Sequence, residues 1–190
     1  MFFHIRAATP ADGPGIAFVR VTTWRAAYRG IIAQATLDGL DILADSARFS
    51  EGLARMGSDH CCFVAEVLAA EGAAPTRVAG FARAGPCRDD AGYTSELYAI
   101  YVLPEYQGHG VGRELFRAVT GWLAGQGHHN MILYVLRDNF PSRRFYETQG
   151  GRPVRQRQIE IGGQMLPEVG YGYILGAPSN PGSGSDSGPD

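Results

Sequence analysis

Apolar residues in this chain recur at two spacings, every second position and every third or fourth, and the switches between them mark out its elements. Phe2 to Ala7 reads as a short strand that stops at Thr9–Pro10, where Thr9 can cap and Pro10 suits a first helical turn. The helix expected there carries Ile16, Val19, Thr23, Trp24, Ala27 and Tyr28 on one face and ends at Gly30. A second helical stretch runs from about Gln34 to Met56, anchored by Leu37, Leu40, Leu43, Phe49 and Leu53, with Gly39 able to break it in two. Cys61 to Val67 and Arg77 to Ala84 read as strands joined by the turn-forming EGAAPT.

Thr94 to Leu103 is apolar on both sides and is expected in the centre of a sheet. Strict alternation puts Glu96, Tyr98, Ile100 and Val102 on one face and Leu97, Ala99, Tyr101 and Leu103 on the other. A helix follows from about Gly110 to Ala124, with Val111, Leu115, Val119, Trp122 and Leu123 inward, and then a short strand, Met131 to Leu136. Asp138 or Asn139 can cap the next helix, which carries Pro141 in its first turn and stops at Gly150–Gly151. Val154 to Ile161 and Gln164 to Ile174 form a hairpin around Gly162–Gly163. The resulting order, β-α-α-β-β-β-α-β-α-β-β, predicts an α+β fold with a mixed sheet and helices on its faces. One domain is expected over residues 1–176. The polar tail 177–190 has too little to bury to offset the entropy of ordering, and disorder is expected there.

Composition narrows the function. With 17 basic and 19 acidic residues among 190, the chain offers no general nucleic-acid or polybasic membrane surface. Its one basic run, Arg152 to Arg157, reads as a solvated strand. Cys61, Cys62 and Cys87 form no disulfide framework or zinc pattern and suit reduced thiols. No run is long and apolar enough for a membrane helix, the start MFFHIRAATP lacks signal-peptide character, and a cytoplasmic location is expected. The histidines show no ligand spacing, so no metal is expected.

The candidate chemistry lies in QGHGVG, Gln107 to Gly112, between the strand ending YVLP and the helix beginning GRELF. A glycine loop that opens a helix is a ready anion site: the helix N-terminus offers unpaired amides, and glycine admits both positive φ and close approach. The Walker and Rossmann patterns both fail here, because no Lys–Ser or Lys–Thr follows and the G-x-G-x-G spacing lacks its distal acid. What survives is Q-x-x-G-x-G, on Gln107, Gly110 and Gly112. The run ELYAIYVLPEYQGHGVGRELF resembles the acetyl-CoA-binding motif of the GNAT superfamily of N-acetyltransferases. YVLRDNFPSRRFYETQGGRP resembles that family's next segment, and the flanks W-RAAYRGI and EVGYGYIL resemble its branch of small-molecule amine acetyltransferases.

The resemblance implies acetyl-CoA as co-substrate, its pyrophosphate on the amides of Gly108, His109, Gly110, Val111, Gly112 and Arg113, and its pantetheine arm along the backbone at Ile100 and Val102. Asn139 and Tyr146 are the matching helical pair. Two helical turns separate them, which would point both side chains the same way about 10 Å apart, though a cap and a core residue are the plain alternatives. Tyr146 is the candidate general acid for the departing thiolate. Glu96 is the candidate base, open to the alternatives of water and of a salt-bridged strand end. A base matters because an alkylamine of lysine-like pKa lies about 3.4 units from neutral at pH 7, equivalent to roughly 4.6 kcal/mol. Trp24, Tyr28 and Tyr98 are candidates to line the acceptor pocket; core packing is the alternative for Trp24 and Tyr28. Aromatic faces with Glu96 would suit a cationic amine. The implied activity is acetyl transfer to a small amine, with a peptide acetylase and a silent CoA sensor as rivals. The edge left at the C-terminal hairpin is compatible with a homodimer.

Overall fold

The computed structural model describes residues 2–67, 77–89 and 92–176. The EGAAPT turn and the 177–190 tail lie outside the described residues. Strand β1 (Phe3–Ala7) leads through a single 3-10 turn at Pro10–Asp12 into α1 (Gly13–Ala27). The expected second helix is two, α2 (Gln34–Asp38) and α3 (Ile42–Ala54), parted at Gly39. Strands β2 (Cys61–Val67), β3 (Arg77–Pro86) and β4 (Ser95–Val102) then run antiparallel. Helix α4 (Val111–Gly125), strand β5 (Asn130–Leu136), helix α5 (Phe140–Thr148) and the hairpin of β6 (Arg152–Ile161) and β7 (Gln164–Ile174) complete the chain.

The seven strands form one mixed sheet in the order β1-β2-β3-β4-β5-β7-β6, and only the central pair β4–β5 is parallel. That pair is joined over just three register positions, Ser95 to Leu97 against Met131 to Leu133, after which the strands part. One face of the sheet packs on α4 and α5 through Leu97, Leu115, Val119, Leu133, Tyr146 and Tyr171. The other packs on α1 and α3 through Ile16, Val19, Val64 and Phe81, and around α2 through Ile32, Leu37 and Leu136.

Two expectations fail. Leu43 is not an anchor but 81% exposed, and the inward position of α3's first turns is taken by Asp45, which holds Arg20 and Arg48. The alternation of β4 breaks at Tyr98: Arg83 pairs with Ala99 but Ala84 with Leu97, so β4 holds one extra residue. Such a bulge reverses the faces beyond it. Leu97, Ile100 and Val102 therefore share the α4 face, whereas Ala99 and Tyr101 pack on the α1 side.

At the N-terminus, Arg6 grips Asp12 with both terminal nitrogens, at 2.8 and 2.7 Å, and Asp12 also accepts from the amide and hydroxyl of Thr9. The Arg6 hydrogen bonds hold the Asp12 carboxyl down to about 2, against an ordinary 3.8. A depressed folded-state pKa contributes stability above the unfolded value and loses it as pH falls towards the folded one. Asp12→Asn should therefore cost about 1–2 kcal/mol near neutrality, discounting the shift for the partial exposure of Arg6, with the gap to wild type closing between about pH 4 and pH 2. Denaturant midpoints at pH 6, 4 and 2.5 check this; a gap that does not depend on pH would refute it.

Candidate functional site

The parting of β4 from β5 opens a groove of about 940 Å³ that begins at the glycine loop and passes between the two strands. Its first wall is the start of α4. Gly110 is the N-cap residue, with φ 87°, and no side chain caps the helix. The amides of the first turn therefore face outward with no side-chain partner, at the positive end of the helix. Gly108 also has positive φ, 76°, and a Cβ there would meet nothing within 4 Å, so the loop is an open cradle. Gln107, Gly108, His109, Gly110, Gly112 and Arg113 all line it. Val111 does not: its side chain is buried in the core, which leaves only its backbone amide for the loop. Gln107 ties the loop to the strand, its side-chain amide donating to the Val102 carbonyl at 2.9 Å. His109 is exposed and its ring Nδ1 lies 2.9 Å from the Gln107 carbonyl.

Ile100 and Val102 line the middle of the groove, and Asn139 and Tyr146 face them from α5. Asn139 is the buried N-cap residue of α5, its Oδ1 accepting the Ser142 amide at 3.3 Å. It stands outside the helix proper, with ψ 70°, so the two-turn alignment with Tyr146 does not hold as drawn. Tyr146 is buried against Phe145 and Tyr171, and its carbonyl is held by the Tyr173 hydroxyl. Its own hydroxyl has no hydrogen-bond partner among the described residues. Burial, then the nearby phenols of Tyr101 and Tyr173, push its pKa well above the ordinary 10.

Tyr28 lines the α1 side of the groove and stacks edge-on against Trp24 at 5.1 Å between ring centroids. Both also pack on the Ile32–Leu37–Leu136 cluster, the core alternative for these two side chains. Tyr98 lines the groove as well, its hydroxyl donating to the Pro86 carbonyl at 2.6 Å, and burial pushes that phenol up to about 12. Trp24 is absent from the groove lining and borders an adjoining cavity instead.

Glu96 is the main correction. The bulge at Tyr98 separates its face from that of Ile100 and Val102, and it does not line the groove. It is 2% exposed, both its oxygens are engaged by the Arg88 guanidinium, and Oε2 also accepts the Arg88 amide at 3.1 Å. A carboxylate held this way cannot serve as the counter-charge for a cationic amine in the groove.

Several groove residues carried no sequence signal. Tyr101 and Thr23 enter from β4 and α1, and Tyr134 from β5. The Tyr134 hydroxyl donates to Asp89 at 2.7 Å, and Arg157 lies over its ring while bonding Asp89 and Glu168, each at 2.9 Å. The basic run is therefore not wholly solvated, since Arg157 turns inward to bridge two acids. Among the described residues, no group of three or more His, Cys, Asp or Glu side chains could hold a metal ion, and no helix is long and apolar enough to cross a membrane.

Comparison with known proteins adds independent findings. The family model described as acetyltransferase (GNAT) family matches residues 31–150. An uncharacterised N-acetyltransferase of Bacillus subtilis is 35% identical over 170 residues, covering 89% of this chain and 91% of that protein. A probable N-acetyltransferase of Mycobacterium tuberculosis is 29% identical over 92% of this chain and 95% of its own length. A putative acetyltransferase from Salmonella typhimurium, solved with its cofactor acetyl-CoA, superposes with a TM-score of 0.64 at 24% identity, covering 95% of this chain and 98% of that one. At that identity the likeness is one of fold.

Proposed function

The chain belongs to the GNAT family of acetyltransferases, and from that premise we propose that it moves the acetyl group of acetyl-CoA to the amino group of a small molecule by direct transfer. The observation that carries this reading is one continuous groove, running from the left-handed Gly110 cap, between the parted strands, to Tyr146 and Tyr28. A small acceptor is favoured by the adjoining aromatic cavity of about 390 Å³, near the lower end of the range for small-molecule sites.

In this mechanism the amides of Gly108 to Arg113 bind the pyrophosphate of acetyl-CoA. The backbone of β4 at Ile100 and Val102 holds the pantetheine arm where β5 has turned away, and Asn139 borders the same channel. A backbone N–H in this part of β4 donates to the thioester oxygen as negative charge develops on it. The neutral amine attacks the thioester carbon, and as the C–S bond breaks Tyr146 gives its proton to the thiolate. It is reprotonated, through water, by the second proton that the acceptor nitrogen loses. Water in the groove takes the acceptor's ammonium proton, because Glu96 is engaged by Arg88 on the other side of the bulge.

Thiol release from acetyl-CoA, followed against polyamines, amino acids, aminoglycosides and short peptides, tests the proposal. Turnover of free amines supports it, and turnover of peptides alone would make the protein a peptide acetylase. CoA binding without any turnover would make it a sensor. Glu96→Gln separates water from the carboxylate as base. It should lower stability by about 1–3 kcal/mol through the half-broken pair while leaving kcat within about threefold and the rising limb of its pH profile in place. A fall in kcat of about 30-fold or more, with that limb displaced, would restore Glu96 as the base.

A further inference from the structure

The cavity beside the groove lies on the α1 and α3 side of β3 and β4 and shares Tyr98, Ala99 and Tyr101 with it. Aromatic rings make much of its wall, and its basic groups, Arg20, Arg83, Arg88 and His60, are joined by no Asp or Glu among the lining residues. Three of the four have partners elsewhere. Asp45 takes Arg20, Glu96 takes Arg88, and Asp59 lies 2.7 Å from the His60 ring nitrogen. Arg83 has no carboxylate among the described residues, and its Nε is buried without a hydrogen-bond partner. The indole nitrogen of Trp24, in the same lining, is buried beside the Tyr101 hydroxyl.

Buried donors in native proteins are almost always satisfied, and a guanidinium among aromatic rings calls for an anion with two oxygens in its plane. The position of this one is informative. Arg83 stands in register with Ala99, next to the bulge at Tyr98 and beside the stretch of β4 that borders the groove.

We propose that Arg83 is the specificity residue of the acceptor site and that the acceptor is an amine bearing a carboxylate, an amino acid or a close analogue. This rests on the acetyltransferase reading above. The carboxylate pairs with the Arg83 fork, and the amine sits where β4 and β5 part. The rings of Phe49, Phe81 and Tyr101 take the apolar side chain.

Matched acceptors test this on the full chain: L-phenylalanine against phenethylamine, and L-leucine against 3-methylbutylamine, with 3-phenylpropionate as a carboxylate that cannot be acetylated. Wild type should favour each amino acid over its amine by about 10- to 100-fold in kcat/KM, the range of a charge-assisted pair. Arg83→Gln should bring that ratio to within about threefold, acting through KM rather than kcat, and Arg83→Lys should keep part of it. Calorimetry with CoA present should show 3-phenylpropionate binding to wild type and not to Arg83→Gln. Equal turnover of amines and amino acids by wild type, or a preference unchanged in Arg83→Gln, overturns the carboxylate site and leaves the acetyltransferase reading standing. No turnover of any acceptor, with 3-phenylpropionate bound in an Arg83-dependent way, keeps the anion site and removes the amine-acetylating reading. Absence of both overturns the proposal. Should Arg83→Gln fail to fold, the wild-type preference and Arg83→Lys decide.

Discussion

Tyr146→Phe should lower kcat by about 100-fold or more while leaving the KM for acetyl-CoA within about threefold. Only the phenolic oxygen is lost, and general acid catalysis contributes about 10²- to 10⁴-fold when its donor is well placed. The ring should stay where it is, since it is held by contact with Phe145 and Tyr171 and by the Tyr173 hydroxyl on its own carbonyl. Its hydroxyl has no partner among the described residues, so the protein loses no internal hydrogen bond and its melting temperature should barely move. The pH profile supplies a second test. Burial first, and the neighbouring phenols after it, raise the Tyr146 pKa, so the acid stays protonated throughout the working range. Wild-type kcat should therefore rise as the acceptor amine loses its proton, with no descending limb below about pH 10. Steady-state thiol release across pH measures both, and a variant within about fivefold of wild type would remove Tyr146 as the acid.

The second large effect belongs to the loop. Gly110→Val should raise the KM for acetyl-CoA by about 100-fold with much less change in kcat. The obstacle is conformational, because a Cβ at this position would come no nearer to the protein than 3.7 Å, at the Arg113 side chain. Gly110 holds φ 87°, where an L-residue costs about 1–2 kcal/mol and a β-branched one more. Relaxing that strain turns the first amides of α4 out of the anion site, and a charge-assisted hydrogen bond is worth about 1.5–3 kcal/mol. Gly112→Ala is the control. Gly112 does not have positive φ and its added Cβ would meet the Phe145 ring at 3.4 Å, an ordinary contact, so the KM should change by less than about fivefold. Equal effects at the two positions would mean that the left-handed cap is not what forms the site.

Much of this was legible because periodic burial and turn chemistry are local. The glycine turn into α4, the α4 stripe, a cap at one of Asp138 and Asn139, and the β6–β7 hairpin are found where the pattern puts them, and Gly39 parts the second helical stretch. What escaped is non-local. One inserted residue at Tyr98 leaves no mark in the alternation of SELYAIYV, yet it separates Glu96 from the groove. Leu43 fits a helical stripe, but Asp45 with two arginine partners takes the inward place. Arg83 falls within the strand Arg77 to Ala84 and carries no signal of its own in the sequence. Its significance comes from α1 and α3 closing over that face while the neighbouring arginines find acids and, among the described residues, it does not.

The narrow seam between β4 and β5 has a kinetic consequence. Among the described residues the backbone ladder between the strands β1 to β4 and the strands β5 to β7 spans three register positions, supplemented by side-chain bonds from Thr94 and Ser95 to Asn130 and from Tyr134 and Arg157 to Asp89. Without cofactor the two halves should open semi-independently, as separate cooperative units in native-state hydrogen exchange. An extended arm laid along β4 would act as a missing strand, so cofactor binding should slow amide exchange at Ile100 to Val102 and bring the two halves to a common opening rate. The protein would then be stiffest when loaded and loosest just after its product leaves.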